Sequence, residues 1–101
     1  MNTNQHKRIQ VKEGEYKIME TSRTQIIILK ILQNQQANTP ATAITIADMM
    51  SMVNFNKSYS TVYREINSLL YYGMVSLGVR DGKYKTFFVN NIGDDLIKEM
   101  I

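Results

Sequence analysis

The chain has no cysteine and one histidine, His6, close to its start. Without cysteine there is no disulfide framework and no thiolate metal site. A single histidine all but excludes histidine metal centres and the triads that need an imidazole base. Long apolar runs are missing as well. The run Ile26–Leu29 is four residues, against the ~20 that span a bilayer. The opening MNTNQHKRIQ lacks the apolar core of a secretory signal. Carboxylates cluster only at Asp94, Asp95 and Glu99, which suit the positive end of a helix better than acid–base chemistry. The expectation is a cytoplasmic protein that is not an enzyme, with no metal, no cofactor, no small-molecule ligand and no membrane contact.

What is present fits one domain: 101 residues can bury a core without staples. The net charge is +3 and the pI about 9.2, which alone says little. The distribution says more. Between Lys57 and Lys85 stand five basic residues (Lys57, Arg64, Arg80, Lys83, Lys85) against Glu65 and Asp81. The last segment is acidic, at Asp94 and Asp95. Segregation of this kind is what a phosphate-facing surface needs.

Along the chain, residues 1–21 read as an N-terminal arm. Ile9 and Val11 alternate with polar neighbours and Glu13-Gly14 can turn the chain, so a β-hairpin and an extended arm both fit. Residues 22–101 form the main domain. Ser22 and Gln25 fit a capping box before a greasy helix running to Gln36. Asn38-Thr39-Pro40 stops it. Ala43-Ile44-Thr45 suits a short edge strand. Thr45 and Asp48 cap a second helix, Ile46 to Val53, with Ile46, Met49, Met50 and Val53 as its apolar stripe. Asn54-Phe55-Asn56-Lys57 is a corner, and asparagine tolerates left-handed backbone. Ser58 or Ser60 opens a third helix with Tyr59, Val62, Ile66, Leu69 and Leu70 inward. Ser60, Thr61, Arg64, Asn67 and Ser68 point outward, with Tyr63 at the boundary, and Gly73 is the left-handed stop. Met74–Val79 and Lys83–Val89 alternate as strands around the hairpin signal Asp81-Gly82. Asn90 or Asn91 caps a last helix with Ile92, Leu96, Ile97 and Met100 apolar.

A helix stopped by glycine and followed by a basic hairpin is the working end of a winged helix-turn-helix. The strings ITIADMMSMVNFNKSYSTVYREINSLLYYGMV and FFVNNIGDDLIKEM resemble the helix-turn-helix and the strand-to-helix junction of bacterial winged-helix regulators of the MarR and PadR kinds. The likeness runs from about Thr24 to Ile101. Thr61-Val62-Tyr63-Arg64 also resembles the recognition-helix start of ferric-uptake-type repressors, but their metal-binding histidines and cysteines are missing, so metal sensing does not carry over. The resemblance implies an α+β fold: a winged helix-turn-helix with a three-helix core, a two- to three-stranded wing sheet and a C-terminal helix.

That fold puts helix three in a major groove and the wing on neighbouring backbone or minor groove. The implied DNA contacts are Lys57, Ser58, Tyr59, Ser60, Thr61, Arg64, Asn67, Arg80, Lys83 and Lys85. Arg64 can fork onto a guanine and Asn67 onto an adenine. Arg64 is the only basic residue of helix three, with Glu65 beside it, so the wing is expected to lead, with Arg80 suited to a narrow A·T-rich minor groove. A single module buries little surface, which makes a homodimer the expected state. The arm, the first helix and the last helix, with Ile28, Ile97, Met100 and Ile101, are its candidate interface. Three roles stay open: a transcriptional regulator, an accessory protein at a plasmid or phage transfer, replication or partition origin (conjugative plasmids carry small proteins of this kind), and a winged-helix adaptor that binds protein instead. The Asn- and Ile-rich composition, suggesting A·T-rich coding, fits the mobile element.

Overall fold

The computed structural model describes residues 7–10, 18–52 and 56–100. Two short strands, β1 (Lys7–Gln10) and β2 (Ile18–Thr21), pair antiparallel with Lys7 opposite Thr21. His6 and the Glu13-Gly14 turn lie outside the described residues, as do Val53, Asn54, Phe55 and Ile101.

Helix α1 (Arg23–Asn34) opens with the expected capping box: Gln25 N–H donates to Ser22 Oγ and Ser22 N–H to Gln25 Oε1, each at 3.1 Å. Gln25 then spends its other end on the tertiary fold, its Nε2 donating to Glu65 Oε1 at 2.8 Å. The helix stops at Asn34, short of the expected Gln36. Gln36 instead sits at φ 56°, and two bonds close the end: Gln36 N–H to the Gln33 carbonyl at 3.0 Å and Ala37 N–H to the Leu32 carbonyl at 2.8 Å. This is a Schellman motif built on a residue with a Cβ. Since left-handed backbone is costly for such residues, Gln36→Gly should raise stability by about 0.5–1 kcal/mol. Urea titration of the two proteins measures it, and an unchanged midpoint would count against strain at this site.

A 3₁₀ turn at Pro40–Thr42 follows, and then Ile44, which exchanges both backbone bonds with Phe87 at 3.0 and 2.8 Å. The expected strand at 43–45 is therefore one bridge. Helix α2 (Ile46–Met52) is capped reciprocally by Thr45 and Asp48. Asn56 takes φ 56° at the corner. Ser58, not Ser60, caps α3 (Tyr59–Tyr71), accepting from Thr61 N–H at 3.2 Å. Gly73, at φ 79°, closes it with the same pair of bonds that ends α1.

Strands β3 (Val75–Leu77) and β4 (Phe87–Val89) pair antiparallel, Val75 opposite Val89. Both are shorter than their alternation suggests. Val79 N–H turns away from the ladder to the Pro40 carbonyl at 3.0 Å, and Thr86 Oγ1 donates to the Val79 carbonyl at 2.6 Å. Beyond that root, Asp81 and Tyr84 make a lone bridge around Gly82-Lys83, with Gly82 at φ 62°. Glycine first in a two-residue loop is the type II′ pattern. Helix α4 (Asn91–Met100) ends the described chain.

Helix α1 runs through the middle, packed on α3 and α4. Its Ile28, Leu29 and Leu32 are wholly buried among Val62, Ile66, Leu69, Met74, Phe87, Leu96 and Ile97. Each such side chain contributes about 1.5–3 kcal/mol of burial. Ile28 and Ile97 are thus consumed by the monomer's own core and are not free for a dimer interface. Two other expectations also change. Tyr59, counted among the inward residues of α3, is 51% exposed, and Ile92, counted as apolar face of α4, is 43% exposed. Both stand in the first turn of their helix, where the helical period is correct but, among the described residues, the side chain stays about half exposed.

Candidate nucleic-acid interface

Tyr59 at the start of α3, Thr45 and Asp48 at the start of α2, and Asp81, Tyr84 and Lys85 of the hairpin tip line one cleft with a volume of about 450 Å³. The exposed end of α3 and the cationic hairpin therefore share a side of the molecule. The Pro40 and Thr86 bonds hold the root of the hairpin, and its tip borders the start of α2.

Along α3 the outward stripe is Ser60, Arg64, Asn67 and Tyr71, spaced four, three and four residues apart. Ser60 and Arg64 are exposed and, among the described residues, have no hydrogen-bond partner. Asn67 differs from expectation: its Nδ2 donates to the Tyr63 carbonyl one turn back at 2.7 Å. A side-chain amide folded onto its own helix has lost the donor of an adenine fork, a habit of asparagine inside helices. Ser58 and Thr61 are also engaged, the Ser58 hydroxyl donating to Thr61 Oγ1 at 3.1 Å as part of the cap. Glu65 is drawn off the outward face by Gln25, which removes the carboxylate that stood against a phosphate-facing α3.

Tyr63 is 44% exposed and stacks on Tyr59, ring centroids 6.4 Å apart at 15°. Sequence spacing left Tyr63 at a boundary and Tyr59 inside; the i, i+4 separation was the available signal for the pair.

At the hairpin, Arg80 Nη1 donates to the Lys83 carbonyl at 2.9 Å, holding the tip closed. Lys83 Nζ lies 5.6 Å from the centre of the Tyr84 ring. Lys57 and Lys85 are exposed, and neither has a hydrogen-bond partner among the described residues. Among those residues no group of three His, Cys, Asp or Glu side chains is placed to hold a metal ion, and no helix is long and apolar enough to cross a membrane.

No protein-family model matches the chain, and no curated protein matches it. Among solved structures it is similar to TubR from Bacillus megaterium pBM400, with a TM-score of 0.65 and 18% sequence identity, over 75% of this chain and 81% of that one. Identity that low speaks for architecture alone. With the helix order, the corner at Asn56 and the β3–β4 hairpin described above, the fold is an α+β winged helix-turn-helix.

Proposed function

We propose that the chain is a sequence-specific double-stranded DNA-binding protein, a dimeric cytoplasmic regulator of transcription of the MarR or PadR kind, which contacts DNA through the hairpin wing and α3. The observation that carries this reading is the shared cleft: Tyr59 of α3 and Lys85 of the wing border the same opening. Arg64, Lys57, Arg80 and Lys83 are all exposed. A duplex pressed to that side meets α3 with a base-edge stripe and the wing with cations.

The wing supplies most of the phosphate contact. Lys83 and Lys85 present unneutralised ammonium groups, and Arg80 retains N–H groups beyond the one spent on Lys83. Binding to a duplex, followed by fluorescence anisotropy, is expected to weaken with salt at a log–log slope of about −0.9 for each phosphate neutralised. Lys83→Gln and Lys85→Gln should each make that slope shallower by roughly 0.9. Arg80→Ala should lose more affinity than Arg64→Ala. The reverse order would move the lead to α3, and failure to bind any duplex would favour a protein adaptor.

The second reading places the same activity at a plasmid partition or transfer origin instead of a promoter. It is favoured by the likeness in fold to TubR from Bacillus megaterium pBM400. Mapping the bound sites across the replicons of the host separates the two: arrays of repeats beside a replication or partition locus support the second reading, and single sites overlapping promoters support the first. In either case a two-fold dimer is needed for specificity, since one module covers only ~600–1,000 Å². With Ile28 and Ile97 occupied, its interface is drawn from the β1–β2 hairpin and the exposed sides of α1 and α4. Sedimentation of the full chain tests that state.

A further inference from the structure

We infer that the stacked rings of Tyr59 and Tyr63 form an apolar plate that reads the 5-methyl groups of thymine in the major groove. The inference rests on the DNA-binding reading above and deepens it, because it names what α3 recognises.

The hydrogen-bonding side chains of α3 are largely withdrawn from base recognition. Asn67 donates to the Tyr63 carbonyl, Ser58 and Thr61 are locked in the cap, and Glu65 is held by Gln25. Ser60, Arg64 and the phenol hydroxyls of Tyr59 and Tyr63 remain. Few free donors and acceptors are thus left to read bases through hydrogen bonds. What the surface exposes beside them is ring carbon. Tyr59 is 51% and Tyr63 44% exposed, neither packs into the core cluster, and they hold each other nearly parallel. Pre-stacked rings lose little side-chain freedom on binding. The thymine methyl is the apolar feature that distinguishes base edges in the major groove. Lys85 borders the same cleft as Tyr59, and the exposed Lys57 and Arg64 stand within two residues of the rings along the chain, so the complementary occupant is a thymine-rich duplex. This differs from minor-groove preference by Arg80, which is blind to the methyl because it lies in the other groove.

The experiment compares four double-stranded copolymers at one ionic strength, using the full chain. Poly(dA-dT) and poly(dA-dU) share their minor-groove donors and acceptors and their phosphates, and differ in the methyl. Poly(dG-dC) and poly(dG-5-methyl-dC) repeat the contrast without A·T pairs. The full chain is expected to prefer dT over dU by roughly fourfold for each methyl covered, and methylcytosine over cytosine in the same direction. Tyr59→Gln and Tyr63→Gln should abolish the preference, while Tyr59→Phe and Tyr63→Phe keep it. Equal affinity of the unsubstituted chain for dT and dU polymers overturns the plate and leaves DNA binding standing. So does a dT preference that persists in folded glutamine variants. Absence of salt-sensitive binding to all four polymers overturns the DNA reading itself. If a glutamine variant fails to give a cooperative melt, the dT and dU comparison on the unsubstituted chain decides alone.

Discussion

Asn90→Ala is expected to lower the free energy of unfolding by about 2–3 kcal/mol, the sum of a lost helix cap and a lost buried hydrogen bond. Asn90 is where three elements meet. Its Oδ1 accepts from the N–H groups of Ile92 and Gly93, at 3.0 and 3.1 Å, and so opens α4. Its Nδ2 donates to the Gly73 carbonyl at 2.7 Å, just past the end of α3, and to Ser76 Oγ on β3 at 3.1 Å. Alanine removes all of these and strands a half-buried carbonyl. Asn90→Ser separates the two contributions. Serine caps a helix about as well as asparagine, but it is too short to span to Gly73, so its cost should be near 1 kcal/mol. Chemical denaturation of the three proteins should place serine between asparagine and alanine. A serine variant as unstable as alanine would show that the tie to Gly73 is everything and the cap nothing.

The second large effect is Gly93→Ala, for which we expect a loss of about 2 kcal/mol or more from overpacking. Alanine normally strengthens a helix by ~0.5–1 kcal/mol over glycine, so the expected sign is opposite to that of propensity. The reason is close approach. A Cβ at Gly93 would overlap the Met74 carbonyl oxygen and come within 2.7 Å of Val89 Cγ2, with Leu29 Cδ2 3.3 Å away. The nearest obstacle is backbone, which cannot swing aside as a side chain can. The first turn of α4 must therefore lift off β3 and β4 or drag Met74 with it. Calorimetric melting should show a lower midpoint for Gly93→Ala but little change for Ile92→Ala, whose side chain is half exposed. Matching midpoints for Gly93→Ala and the unsubstituted chain would mean that α4 sits farther from the sheet than described.

Much of this architecture was legible because it is written locally. The Ser22–Gln25 and Thr45–Asp48 capping boxes, the Gly73 stop and the Asn90 cap each depend on residues no more than five positions apart, within reach of pattern reading. The misread features depend on partners far along the chain. Nothing near Val79 tells that its N–H is claimed by Pro40, so alternation alone carries the strands past their true ends. Nothing near Glu65 points to Gln25, forty residues earlier. The helical period identifies an inward face for α3, but period alone does not tell that its first turn is left exposed at Tyr59. Asn67 is legible in the sequence: an asparagine inside a helix can turn its amide back onto the carbonyl four residues earlier.

The bonds from Val79 to Pro40 and from Thr86 to Val79 have an evolutionary consequence. They fix the hairpin at its base, and residues 80–85 beyond them are exposed throughout and add nothing to the interior. Changes of charge at the exposed side chains there, away from the Gly82 turn, remove no core contact and leave thermodynamic stability nearly untouched. Lineages can therefore drift in what the fingertip touches while inheriting an unaltered scaffold, so descendants of one ancestor would diverge first in this loop.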